Sequence, residues 1–475
     1  MPCRSLIIVG FLSCTPLMFA DEPAALKAGA ATGVITPELG TNIVGGFKPA
    51  PSKHIHDELH ARCLVLESGD TRLALVVCDL LGFHRSVSDL ARKLIHAETG
   101  IPPEHVLISA THTHSAASAL GQTRYQPEQE PDEYQKFVAR RIADGVRRAV
   151  NLLRPAELAF GTVEIPEHLN NRRWFMRPGT IPPNPFGTTD LVKMNPPAGS
   201  ENLTEPAGPI DPVVSFLAVR DLEGKPLGLY AAYSLHYVGD VGNSHISADY
   251  FGVFCDELVR LQADRQDPPY VPMLANGTSG DINNINFVTP RPGGKPHYTQ
   301  INYVACDVAG KVHAAMAELK YESNIPLAAR YREPEVLSRK PTPEELAWAN
   351  DTLAKAPADQ AAWDISAIYA DRVQHLNKSP EKIAIPLQVF RIGPVAIGTM
   401  PNEVFCEIGL EFKDRSQIQP AFLVSIAHSY YGYLPSPRHF DLGGYETWIG
   451  TNRLERDASV KMLDHLIEMT GELAP

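Results

Sequence analysis

Short apolar runs of strand length alternate along this chain with longer stretches of helical spacing. Residues 73–78 (Leu-Ala-Leu-Val-Val-Cys) and 106–110 (Val-Leu-Ile-Ser-Ala) read as buried strands. Between them, residues 86–97 have helical spacing, and Gly100-Ile101-Pro102-Pro103 ends that helix. This predicts a strand–helix–strand unit, most simply with parallel strands. Residues 132–153 predict a long amphipathic helix with Phe137, Ile142, Val146 and Val150 near one face. A hairpin follows at 213–219 and 227–232, turned by Asp221-Leu222-Glu223-Gly224-Lys225, and its second arm runs into Tyr233-Ser234-Leu235-His236.

Helices are expected at 248–261 and 303–319, and a strand at 270–274 that opens into a Gly/Asn-rich loop, 275–284. Thr342-Pro343-Glu344-Glu345 is a capping box with Pro at the first helical position, starting a helix to about 353. With a second helix near 361–376, it forms an insert, about 337–380, that reads as a peripheral layer. Residues 383–390 and 395–397 predict another hairpin, leading into Thr399-Met400-Pro401-Asn402-Glu403 and a helix. A strand at 421–426, a Tyr/Pro/Gly-rich loop at 430–445 and a helix at 453–469 close the pattern. The fold class is α/β, with mixed β-sheets flanked by helices. From 165 to 212 the periodicity dissolves into Pro, Gly and Asn, and a connection that long is functional or disordered. Arg172 and Arg173, beside Trp174 and Phe175, favour a substrate-facing loop there.

Composition narrows the function classes. The chain has 475 residues with a formal net charge of −12 and no basic stripe, which argues against nucleic acid and anionic membranes as partners. Arg4, an apolar run and Met18-Phe19-Ala20 before Asp21 read as a signal peptide over residues 1–20, hence a secreted or periplasmic protein. A lipoprotein site at Cys14 ranks second. No later run is long enough to span a membrane, and nothing specifies an oligomeric state. Beyond the leader, Cys63, Cys78, Cys255, Cys306 and Cys406 are scattered without a CxxC pair, so buried free thiols are expected rather than thiolate zinc sites.

The chemistry collects where strands end. His112 and His114 follow the strand at 106–110, and a strand continuing through them would put both rings on one face. His236 follows a second strand, Asp281 lies after a third, Glu403 after a fourth, and Tyr430, Tyr431 and Tyr433 after a fifth. Such exits converge on one crevice in α/β sheets. Histidines with a carboxylate are what hydrolytic zinc uses.

Five motifs in order give the chain a resemblance to the neutral/alkaline ceramidases, specifically their N-terminal catalytic domain. They are Ala110-Thr111-His112-Thr113-His114-Ser115, then His236 with Ser247-Ala248-Asp249, then Pro401-Asn402-Glu403, Tyr430-Tyr431-Gly432-Tyr433 and Tyr445-Glu446, while of a further motif only Gly280-Asp281 is kept. The resemblance spans about 28–446 and implies a single catalytic domain over 24–475, without the family's C-terminal β-sandwich. It implies Zn²⁺ held by His112, His236, Glu403 and Tyr433, with His114 a polar neighbour shuttling protons or orienting the ligands. It further implies Tyr445 on the substrate carbonyl, and Asp281 as a base or a support for the ligands. The family's active-site serine falls on Asn283, so serine nucleophilic chemistry does not transfer, whereas zinc-activated water does. Asn283 is then a hydrogen-bond donor to substrate or oxyanion, and Arg172 and Arg173 contact an anionic or polyhydroxylated part of the substrate. The expected function is zinc-dependent hydrolysis of an amide in a lipid-like acylated substrate. The rival readings are an ester or sugar-linked amide in the same site, and a non-catalytic lipid- or glycan-binding relative.

Overall fold

The computed structural model describes residues 25–121, 126, 129–262, 267–291 and 293–474; the leader and Cys14 lie outside them. The main strands, numbered along the chain with short ribbons left unnumbered, are β1 (Lys27–Val34), β2 (His60–Ser68), β3 (Thr71–Cys78), β4 (Val106–Ala110), β5 (Arg154–Glu164), β6 (Val213–Asp221), β7 (Pro226–Tyr233) and β8 (Val271–Asn276). They form one sheet in the order β8-β7-β6-β5-β1-β2-β3-β4. Its middle is antiparallel, and only the outermost pairs, β3–β4 and β7–β8, are parallel. Four further strands, β9 (Leu327–Arg332), β10 (Leu387–Ile392), β11 (Val395–Thr399) and β12 (Ala421–Val424), make a second sheet in chain order, with β11–β12 parallel.

Each parallel pair needs a crossover, and a helix supplies it. The helix α1 (Arg85–Thr99) joins β3 to β4, as the strand–helix–strand pattern implies. The helix α2 (Glu133–Asn151) follows, opened by an Asp132–Gln135 capping box; α3 (Asp249–Leu261) joins β7 to β8, and α4 (Thr299–Met316) packs beside it. In the insert, α5 (Pro343–Lys355) starts at the capping box of Thr342 and Glu345 and packs on α6 (Ile365–Lys378). The helix α7 (Cys406–Arg415) joins β11 to β12. After the short α8 (Pro437–Leu442), α9 (Ala458–Leu473) packs on α7.

Strand alternation explains the layering. In β2 and β3, Ala61, Cys63, Val65, Ala74, Val76 and Cys78 face α1 and α2, whereas Leu64, Leu66, Leu73, Leu75 and Val77 face the second sheet. The second sheet answers with Phe390, Ile392, Val395, Ile397, Phe422 and Val424, and its other face packs on α7 and α9. The result is helices, sheet, sheet, helices. Both strand faces are buried, hence the near-continuous apolar runs.

The face of α2 differs from expectation. Phe137 is 41% exposed, and the sheet side is Val138, Ala139, Ile142, Ala143, Val146 and Ala149. Small residues win because α2 lies close on β1: a Cβ on Gly29 would sit 2.1 Å from the carbonyl oxygen of Ala149. A Phe on that stripe has no room. The stretch 165–212 is built into short strands, including a three-stranded sheet of Arg173–Met176, Val192–Met194 and Leu203–Pro206. All five described cysteines are unpaired; Cys306 alone among them is exposed.

Candidate metal centre

The site lies where β4, β7, β11 and β12 end, over the seam between the two sheets. The strand β4 stops at Ala110, before the histidine pair. His112 has a left-handed backbone (φ 69°) and is anchored by its N–H on the Leu80 carbonyl, 2.9 Å. The expected strand face therefore does not bring the rings together; a tight turn does. His114 Nε2 ends 3.1 Å from His112 Nε2, its ring stacked on Tyr237 with centroids 3.9 Å apart. Gly45 permits this, since a Cβ there would meet the His114 ring at 2.8 Å.

His236 arrives from the exit of β7. Asn276, at the end of β8, ties that exit to the first by donating to the carbonyls of Thr111 (2.9 Å) and His236 (3.3 Å). The Ser247-Ala248-Asp249 motif is structural: Asp249 accepts from the N–H groups of Val238, Gly239 and Tyr250, fixing the loop after His236. Burial pushes the Asp249 carboxyl up to about 6 despite those bonds. Glu403 and Tyr433 are register partners in a parallel ribbon of Glu403–Val404 and Tyr433–Leu434. Asn402 and the Glu403 N–H both donate to the Gly432 carbonyl. That pairing is why Pro-Asn-Glu and the tyrosine cluster, some 30 residues apart, act together.

Three buried lone pairs meet here. The Nδ1 of His112 lies 2.6 Å from the Leu81 carbonyl and that of His236 lies 2.9 Å from the Ser279 carbonyl. A carbonyl only accepts, so each Nδ1 carries the proton and each Nε2 presents a lone pair. Glu403 Oε2 is 3.2 Å from His112 Nε2 and 3.5 Å from His236 Nε2. Both Glu403 Oε2 and His236 Nε2 are buried without a hydrogen-bond partner. Acceptors facing one another out of water are costly, and a cation between them removes the cost. The donors, imidazole nitrogens and a carboxylate, are those of zinc. His112, His114 and His236 hold ring nitrogens within 4.8 Å of one another, which brings His114 into the cluster itself.

Electrostatics agrees with ligands ready to bind. Burial, reinforced by the neighbouring imidazoles, pushes His114 and His236 well below the ordinary histidine range, so both are neutral. Burial alone would raise the Glu403 carboxyl, and the hydrogen bond from the Tyr430 hydroxyl opposes it by favouring the ionised form. Tyr430 donates to Glu403 Oε1 at 2.5 Å, turning Oε2 toward the histidines.

A cavity of about 300 Å³ opens on this cluster, lined by His112, His114, Glu403, Tyr430, Tyr433 and Tyr445, with Gly45, Phe47, Arg372 and Arg453 on its walls. The other sequence candidates do not line this cavity. Asp281 is fully buried, accepting from Asn171 (2.8 Å) and from the Cys406 N–H that opens α7 (2.8 Å), and burial pushes its carboxyl up. It holds the helix after Glu403 rather than facing the cavity. Asn283 gives its amide to Asn195 (3.1 Å) and accepts from the Ile285 N–H. Arg173 is fully buried, bound to Glu446 Oε2 at 2.6 Å and to the Gly443 carbonyl at 2.6 Å. Arg172 takes Glu446 Oε1 at 2.9 Å and lies 5.3 Å from the Tyr433 ring centroid. The substrate-facing loop thus turns its arginines inward, because a buried Glu446 requires them. Asn276, Tyr430, Tyr237, Arg372 and Arg453 went unassigned in the sequence; of these only Tyr430 carried a signal, as the first Tyr of its motif.

No protein-family model and no curated protein matches the chain. Among solved structures, the crystal structure of neutral ceramidase from Pseudomonas aeruginosa superposes with a TM-score of 0.70 at 19% identity, covering 95% of this chain and 74% of that one. A ceramidase complexed with C2 superposes with a TM-score of 0.70 at 18% identity, covering 95% and 76%. The chain has the fold of these neutral ceramidases.

Proposed function

We propose that the chain is a secreted or periplasmic zinc-dependent hydrolase that cleaves the amide bond of a lipid-like N-acyl substrate. The observation that carries this is the convergence of His112 Nε2, His236 Nε2 and Glu403 Oε2, buried and without protons between them, beside a cavity that His112 and Glu403 line. The shared ceramidase fold and the leader-like N-terminus support the substrate class and the export. No described helix is long and apolar enough to cross a membrane.

His112, His236 and Glu403 hold the metal, with Tyr433 beside them and His114 close enough to join or to face the substrate. Bound zinc supplies Lewis acidity and makes hydroxide available near neutral pH. The Tyr445 hydroxyl donates to the amide carbonyl oxygen as charge develops there. His114, kept neutral by burial and lining the cavity, relays a proton from the attacking water to the departing nitrogen. The C–N bond breaks, the water oxygen bonds to the carbonyl carbon, and a carboxylic acid and an amine leave. Leu81 and Ser279, through their carbonyls, and Tyr430, through its hydroxyl, keep the donors aimed.

Metal analysis of purified protein tests this. One zinc per chain is expected in the wild type and none in His112→Ala, with hydrolysis of N-acyl amides lost in parallel. Wild-type protein that holds no zinc, even after zinc is added back, overturns the reading.

A further inference from the structure

We propose that a polar cavity beside the loops leaving β7 and β8 binds an uncharged sugar, at a site distinct from the metal centre. The site stands whether or not the metal centre hydrolyses amides.

Two asparagine pairs build it. Asn170–Asn171 and Ile282–Asn283 form an antiparallel ribbon in which Asn170 is the register partner of Asn283. Successive side chains on such a ribbon point to opposite sides. Asn171 turns inward and donates to Asp281 Oδ2 at 2.8 Å, while Asn283 donates to Asn195 at 3.1 Å. Asn170 and Asn284, one from each pair, instead line a cavity of about 490 Å³, within the range of small-molecule sites. Asn286 and Gln300 bring the amides on its wall to four. The side chains of Asn170 and Gln300 make no hydrogen bond with any described residue. None of the residues lining this cavity lines the one at the metal centre.

One aromatic face completes the wall. Tyr303 is 60% exposed and lies on the same side of α4 as Gln300 and Asp307, opposite the buried stripe of Ile301, Val304, Ala305 and Val308. The His168 ring meets Tyr303 edge to face, with centroids 5.5 Å apart and planes at 85°. His168 is itself fixed, its Nε2 2.8 Å from Asp307 Oδ2, which also accepts from Lys311 at 2.9 Å. The Tyr303 ring is therefore preset.

These groups select the ligand class. A side-chain amide offers a donor and an acceptor from one planar group, which matches neighbouring hydroxyls. An exposed aromatic face takes the C–H face of a pyranose ring. The aliphatic side chains of the wall are Val238, Ile285 and Pro290, too few to hold an acyl chain. Two acids, Glu167 and Asp240, stand against two bases, Arg291 and Lys295, so the wall does not concentrate one sign of charge.

The experiment measures binding of the methyl pyranosides of glucose, galactose, mannose and N-acetylglucosamine to the full chain by saturation-transfer difference NMR. At least one is expected to bind with a millimolar or tighter Kd, equally in metal-free and zinc-loaded protein. Tyr303→Ala should weaken that binding about tenfold, and Tyr303→Phe should keep most of it. Asn170→Ala should weaken it about fivefold. Wild-type protein that binds none of the four at about 20 mM, where a millimolar site is filled, overturns the proposal without any variant having to fold. Binding confined to zinc-loaded protein overturns it by putting the sugar on the metal. Undiminished binding by Tyr303→Ala overturns it by putting the sugar elsewhere. Inorganic phosphate bound more tightly than every glycoside overturns it by making Arg291 and Lys295 an anion site.

Discussion

Replacing Arg173 with Met tests whether the arginine pair is a structural support rather than a substrate contact. The side chains of Arg173 and Glu446 are 0% exposed, and that of Arg172 4%. Arg173→Met deletes two charge-assisted bonds, to Glu446 Oε2 and to the Gly443 carbonyl, each worth about 1.5–3 kcal/mol. Removing one partner of a buried ion pair costs about 3–5 kcal/mol, and Arg172 still holds the other oxygen, so about 4 kcal/mol of destabilisation is expected. Glu446→Gln should cost at least as much, because two guanidiniums then face a neutral amide. The double variant should be less destabilised than the sum of the singles, by about 1–3 kcal/mol. Equilibrium urea unfolding with constant m-values is the assay. A cost for Arg173→Met below about 1 kcal/mol, the range of exposed pairs, refutes the reasoning. So does a cycle additive to within about 0.5 kcal/mol. Because Tyr445 adjoins Glu446, hydrolysis should fall with the same variants even under conditions where they remain folded.

Three further outcomes are expected. Tyr430→Phe removes the donor to Glu403 Oε1 and should weaken zinc affinity by about 10–100-fold, measured by competition with a chelator, while stability changes little. Gly280→Ala sets a Cβ 2.6 Å from the Glu403 carbonyl oxygen, so the ribbon carrying the ligand must shift and bound zinc should fall well below one per chain. Glu407 is held at about 2 from an ordinary 4.5: burial would raise it, but His439, Arg438 and Ser436 outweigh burial. A depressed folded value means its stabilisation is complete above pH 4.5 and lost as pH falls through about 2. Glu407→Gln should therefore cost on the order of 3 kcal/mol at neutral pH and flatten the acid limb of an unfolding-versus-pH series.

The sequence by itself determined the elements and their order. The apolar runs at β3 and β4, the hairpin of β6 and β7 and the capping box at Thr342 are local patterns, and local backbone physics was enough to make them. It also placed His112, His236, Glu403 and Tyr433 at strand exits, because strand ends are marked by loss of apolar periodicity. Convergence was decided only in three dimensions. His112 and His114 meet through a left-handed turn that period-two counting does not contain. Asn276 staples Thr111 to His236 across 165 and 40 residues. Arg173 finds Glu446 across 273 residues, so what reads as an exposed basic pair is buried. Arg372 reaches the cavity because the insert folds back over Phe47. Sequence encodes which residues share a strand or a helix face; which faces and exits confront one another depends on how two sheets stack and where their crossovers run. The histidine motif was legible as chemistry, and the company it keeps was settled by packing.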